Sequence, residues 1–136
     1  MPKQPVKKVI PFEFLLDYLP SRIAIKPAIG MFYIYWENKI LLIFRQLKKN
    51  PQHNGIWIST ERAYHASLKA EMPSITDFVF DDEKLKSHSW LHLKDDHDDF
   101  EKTAIRLCEL INQRDKRIGR ATPKAAQIIR EARQND

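Results

Sequence analysis

Apolar residues recur along this chain with two different periods, and the switches between them mark out its elements. Phe12, Leu15, Leu16 and Leu19 fall at i, i+3, i+4 and i+7, a single helical stripe. With Pro11 where a helix start tolerates it, this predicts a first helix over 11–19, stopped by Pro20. Residues 22–27 read as extended, and Pro27 argues against a central strand. The runs MFYIYW (31–36) and KILLIFR (39–45) are rich in aromatic and β-branched residues and are joined only by Glu37 and Asn38, which predicts a hairpin. Neither run alternates apolar with polar. Met31, Tyr33 and Tyr35 face one way and Phe32, Ile34 and Trp36 the other; in the second strand Ile40, Leu42 and Phe44 oppose Leu41 and Ile43. A sheet with one wet face would alternate cleanly, so both faces of this hairpin are expected to be covered.

Further along, LKKNPQHNG (47–55) carries the turn signals Asn-Pro and Asn-Gly, and GIWIS (55–59) reads as a third strand. Thr60 is an N-cap candidate for a helix through Glu71, with Tyr64 and Leu68 inside and Pro73 ending it. TDFVF (76–80) and SHSWLHL (87–93) are two more strands around an acidic turn. The strongest helical stripe runs over 98–114 through Phe100, Ala104, Leu107, Cys108 and Ile111. A terminal helix opens at Thr122-Pro123, with Ala125, Ile128, Ile129 and Ala132 on one side. The predicted fold is α+β: an antiparallel five-stranded sheet with helices on one face, in the order α-β(3)-α-β(2)-α, plus a short C-terminal helix. At 136 residues the chain is expected to form one domain, with its core over about 10–120 and a basic helical extension over 121–136.

Composition narrows the class. A single cysteine, Cys108, precludes an internal disulfide and suits a reducing cytoplasm. The start, MPKQPVKKVIPF, lacks the apolar stretch of a signal peptide, and no run approaches the roughly 18 apolar residues of a membrane span. The expectation is a cytoplasmic protein without a membrane partner. The net charge of +5 is unevenly spread: residues 77–101 hold nine acids against three lysines, whereas 112–136 hold seven bases against three acids. Such a basic end could steer a polyanion or simply aid solubility.

Candidate chemistry is sparse. SHSWLHLKDDHDD (87–99) raises a metal site, with His92, His97 and either Asp95 or Asp99 as ligands. On a strand, however, His88 and His92 lie about 13 Å apart, and no known ligand spacing is matched. The same letters are accounted for by a strand end and a helix cap, with Asp98 and Glu101 as a capping box. Cys108 falls on an apolar stripe, so it reads as a packing residue, and no phosphate loop, triad or carboxylate pair emerges. No cofactor or metal is implied, and the chain reads as non-enzymatic. Two binding surfaces remain. The stretch 111–124 could place Arg114, Lys116, Arg117, Arg120 and Lys124 against phosphates, or those bases could complement a helix C-terminus. Trp36, Trp57, Trp90, Tyr33 and Tyr35 belong to neighbouring strands, and an aromatic sheet face built from some of them could stack on bases, could hold a protein partner through Tyr33, Tyr35 and Trp90 or a second copy of the chain, or could be buried under the terminal helix.

The segments Lys26-Pro27-Ala28-Ile29-Gly30-Met31-Phe32, Gly55-Ile56-Trp57-Ile58-Ser59-Thr60, Phe100-Glu101 and Asp115-Lys116-Arg117-Ile118-Gly119 give the chain a pattern. It resembles the small domains of the YjbR/MmcQ-like and TfoX N-terminal-like groups over roughly residues 10–120. That resemblance implies a secretion-chaperone-like α-β(3)-α-β(2)-α fold and a DNA-linked regulatory role, with no catalytic residue to carry over. Met31-Phe32-Tyr33 departs from the Met-Phe-Gly usual in the TfoX-type groups, the glycine standing at position 30 instead.

Overall fold

The computed structural model describes residues 9–79 and 86–134. The N-terminal lysines Lys3, Lys7 and Lys8, Phe80 of the fourth predicted strand, and the acidic turn over 81–85 lie outside the described residues.

The aromatic hairpin forms where its sequence pattern places it. Strands β2 (Met31–Trp36) and β3 (Lys39–Arg45) pair antiparallel. Alternation holds in β2 but breaks in β3, because Ile34 pairs with Leu42 while Tyr35 pairs with Ile40. Leu41 is therefore the extra residue of a β-bulge. The bulge turns Leu41 onto the same face as Leu42 and Phe44, and Ile40 joins Ile43 on the other. The strict period-2 assignment of β3 is corrected accordingly.

The described residues form a sheet of seven strands, not five. Residues Ala24–Ala28 form β1, which pairs with β2 at the sheet edge, where the missing N–H of Pro27 is tolerated. Next come β4 (Gly55–Ser59), β5 (Thr76–Val79) and β6 (Lys86–Lys94). The path runs β1-β2-β3-β4-β6-β5, and the two-residue β7 (Arg120–Ala121) pairs with Ile40 and Lys39 at the start of β3. All these pairs are antiparallel. Gly55 is required at the start of β4, where it is flanked by both β3 and β6. Its φ of 123° lies in the left-handed half of the map, and a Cβ there would come 2.1 Å from the Leu93 carbonyl oxygen.

Helices cover both faces rather than one. On the first face, Phe32, Ile34, Leu42, Phe44, Ile56, Ile58, Leu91 and Leu93 pack under α1 (His65–Glu71) and α2 (Phe100–Asn112). The predicted first helix is a short 3-10 turn, Glu13–Asp17. Phe12 takes φ 58° ahead of it to pack its ring on Phe44 and Phe100. Thr60 does not cap α1. Its backbone N–H is held by Ser89 on the sheet, and a 3-10 turn over Arg62–Tyr64 leads into the helix.

On the second face lies α3 (Pro123–Gln134), with Ala125, Ile128 and Ile129 buried against Tyr35, Ile40 and Ile43. Thr122 caps it as the sequence suggests, its Oγ1 accepting the Ala125 N–H at 2.9 Å. The reason for two-sided coverage is the hairpin itself, which is apolar on both faces and leaves Tyr35, Ile40 and Ile43 in need of a cover. No described helix is long and apolar enough to cross a membrane.

Candidate nucleic-acid interface

The C-terminal helix covers the β1–β3 half of the second sheet face. Beyond it, β4, β6 and β5 carry a row of rings on the same side. Trp57 pairs with His92, and Ser59 with Trp90. Trp57 lies 4.4 Å from Phe78 and 6.3 Å from Trp90 between ring centroids, and Phe78 also meets His53 and His92, each at 5.5 Å. Phe78 and His92 are buried, whereas Trp57 and Trp90 are half-buried and keep accessible surface. Polar atoms fix the row. The Trp57 indole N–H donates to the His53 carbonyl at 2.9 Å, and His92 Nε2 donates to the Asn54 carbonyl at 2.9 Å. Burial holds the His92 ring below the usual histidine range, so it is a neutral packing residue.

His92 and His97 are not brought together. His97 sits in the exposed turn after β6, where its Nδ1 accepts the Asp99 N–H at 3.0 Å. That bond fixes the turn that leads into the helix and is not a side-chain cap of it. Helix α2 starts at Phe100, and the flanking Asp99 makes no side-chain cap, which corrects the Asp98–Glu101 capping box. No cluster of three or more metal-ligating side chains occurs among the described residues. Burial pushes the Cys108 thiol up to about 12, beyond nucleophilic use near neutrality.

The five bases of the C-terminal stretch divide into two groups. Arg117 is a brace: its Nε and Nη2 donate to both carboxylate oxygens of Asp115, Nη2 also meets Glu71 at 2.8 Å, and Nη1 donates to the Ser67 hydroxyl at 2.8 Å. That bonding holds the Asp115 carboxyl below its ordinary range. Arg114 is also engaged, pairing with Glu37 at 2.5 Å and lying 4.6 Å over the Trp36 ring, so that it joins the end of α2 to the β2–β3 turn. Lys116 and Lys124 are exposed and form no ion pair with another described residue.

Arg120 differs from all of these. Its Nε donates to the buried Ser59 hydroxyl at 3.0 Å, and its guanidinium carbon stands 5.1 Å over the Trp90 ring. No described carboxylate pairs with it, and burial pushes its pKa down, with only Glu61 pulling the other way. The fold has thus joined one residue from each surface marked in the sequence, Arg120 and Trp90. Tyr33 is half-buried and stacks on Tyr35 at 6.5 Å, but Tyr35 is only 4% exposed beneath α3 and cannot belong to a docking face.

Trp57, one of the aromatics expected on the sheet strands, belongs to the row, and the pairing of Ser59 with Trp90 places it beside the arginine. More cations line an open cleft of about 560 Å³ between the β2–β3 turn and α3, where Lys39, Arg130 and Arg133 surround Glu37, itself taken up by Arg114. A guanidinium seated on an indole, with its two Nη groups bonded to no other described residue, can receive a phosphate while the neighbouring indole receives a flat ring. No family model, curated protein or solved structure matches the chain.

Proposed function

We propose that this chain is a non-enzymatic, regulatory nucleic-acid-binding module that holds unpaired bases on the Trp57–Trp90 row and a phosphate at Arg120. The observation that carries this reading is Arg120: a partly buried cation, oriented by Ser59 and Trp90, without an ion-paired carboxylate among the described residues. Desolvating a guanidinium beside an aromatic row has an evident use if an anion attached to a flat ring completes the site. The cleft cations Lys39, Arg130 and Arg133, with Lys124, extend the positive surface along α3 and would track further phosphates. A DNA-linked role is also what the resemblance to the YjbR/MmcQ-like and TfoX N-terminal-like groups implies.

Anisotropy of labelled single-stranded and duplex oligonucleotides, at low and physiological salt, tests the reading. Single-strand binding is expected to weaken with a log–log salt slope of about −0.7 per phosphate contacted. Trp90→Ala is expected to cost about 1–3 kcal/mol of affinity, as for one stacked base, and Arg120→Ala a comparable amount. Absence of binding at low salt would retire the reading. It would leave a protein-interaction adaptor acting through Tyr33, Trp57 and Trp90, or a homodimer through the same face.

A further inference from the structure

The turn between β1 and β2 is built from Ile29 and Gly30, at φ 50° and φ 75°. Two successive left-handed residues suit the twist of a tight hairpin, and asparagine or glycine fill the first position at little cost. A β-branched residue there is strained, because its branched Cβ crowds the backbone. Ile29 is nevertheless 92% exposed and so receives no packing in return. Gly30 fixes the direction of the tip: a Cβ on it would stand 2.6 Å from Leu47 Cδ2, so the backbone rests directly on the loop that follows β3. Strain and exposure together hold one apolar side chain out from the end of the sheet.

The surroundings state what it could meet. Lys26 on β1 and Lys48 and Lys49 after β3 are exposed and form no ion pair with another described residue. No Asp or Glu occurs in residues 18–36 or 38–60, the two segments that flank the tip along the chain. The acidic turn over 95–99 lies at the same end of the sheet, because Met31, Arg45, Gly55 and Lys94 share one row, but it stands three strands across from β2. An apolar point flanked along the chain by lysines, with the acids set off across the sheet, matches an anionic partner with a stacked apolar interior.

Resting on the nucleic-acid reading above, we propose that Ile29 is a wedge that inserts between neighbouring bases while Lys26, Lys48 and Lys49 meet the flanking phosphates. Apolar side chains inserted in this way part adjacent bases, and lysines supply the salt-dependent share of affinity. The full chain is titrated with an oligonucleotide carrying 2-aminopurine, reading anisotropy for affinity and fluorescence for unstacking. Ile29→Asn should raise the melting temperature by removing the strain, yet weaken binding about tenfold and abolish the fluorescence rise.

Wild-type affinity and fluorescence in Ile29→Asn, with Arg120→Ala still impaired, would overturn the wedge and leave the nucleic-acid reading intact. Absence of oligonucleotide binding by the wild type would remove both. A lowered melting temperature in Ile29→Asn would refute the strain argument. Ile29-dependent binding to phosphatidylserine vesicles, without oligonucleotide binding, would assign the tip to a lipid surface and overturn the proposal.

Discussion

Replacing Arg117 by alanine is expected to unfold the protein more readily rather than to weaken any polyanion contact. The Arg117 and Asp115 side chains are only 15% and 18% exposed, and one guanidinium joins Asp115, Glu71 and Ser67, linking the turn after α2 to α1. A hydrogen bond to a charged group contributes about 1.5–3 kcal/mol net, and removing one partner of a buried pair costs about 3–5 kcal/mol. Glu71, at 34% exposure, is partly screened by solvent and also pairs with Arg106 at 3.4 Å, so its share is small. Most of the loss therefore comes from Asp115, and about 2–3 kcal/mol is expected for Arg117→Ala. Urea denaturation measures it, and a double-mutant cycle with Asp115→Ala should show coupling of about 1–2 kcal/mol. Oligonucleotide affinity of the folded variant should stay within about twofold of wild type. A stability loss below about 0.5 kcal/mol together with a tenfold drop in affinity would make Arg117 a contact residue and refute the brace.

Two further outcomes follow from burial and backbone geometry. Burial lowers the folded-state pKa of His92, and of His65 likewise, below the unfolded value. The unfolded state therefore binds more protons as pH falls below about 6.5, so stability present at pH 7.5 should decline through that window; His92→Gln should flatten the decline without abolishing it, and an unchanged profile in urea titrations from pH 7.5 to 5.5 would contradict the neutral-ring assignment. Gly55→Ala places a Cβ against the Leu93 carbonyl oxygen at a position of φ 123°, and should lose more than about 3 kcal/mol or fail to fold, as seen by circular dichroism; a change under about 1 kcal/mol would mean that β4 and β6 can part there.

The elements set by apolar periodicity could be read directly, and those set by distant contacts could not. The stripe Phe100, Ala104, Leu107, Cys108, Ile111 gives α2 its buried side, and Thr122-Pro123 opens α3 with its cap in place. The 3-10 turn at Glu13–Asp17 defeats the helical stripe because Phe12 leaves helical geometry to reach Phe44 and Phe100, contacts more than thirty residues away. The bulge at Leu41 is similarly silent in a run where every residue over 40–44 is apolar, since either parity buries a hydrophobe. Strands β1 and β7 are short and largely exposed, and only pairing with β2 and β3 makes them strands. At the candidate site, composition pointed to arginines and to aromatics separately. Which arginine is held by carboxylates and which is seated on a tryptophan depends on Ser59, Trp90 and Arg120 meeting from three elements.

That division bears on what covers the second sheet face. The cover that a doubly apolar hairpin requires is supplied by Ala125, Ile128 and Ile129 of α3, so Tyr35, Ile40 and Ile43 need no second copy of the chain. The remaining half, with Trp57 and Trp90, is a poor match for a self-complementary apolar interface because Arg120 stands at its margin. A twofold contact through this half would bring Arg120 toward its own counterpart or into an apolar surface, and a buried, unpaired guanidinium costs several kcal/mol. An arriving phosphate removes that penalty, and so does a carboxylate from a different protein; a second Arg120 does not. Charge removal separates the cases: Arg120→Ala should weaken binding of an anionic ligand, whereas it would relieve the penalty and strengthen self-association through this face if such a dimer formed. Sedimentation and anisotropy on the same variant therefore give opposite signs for the two occupants, and Arg120 decides between them.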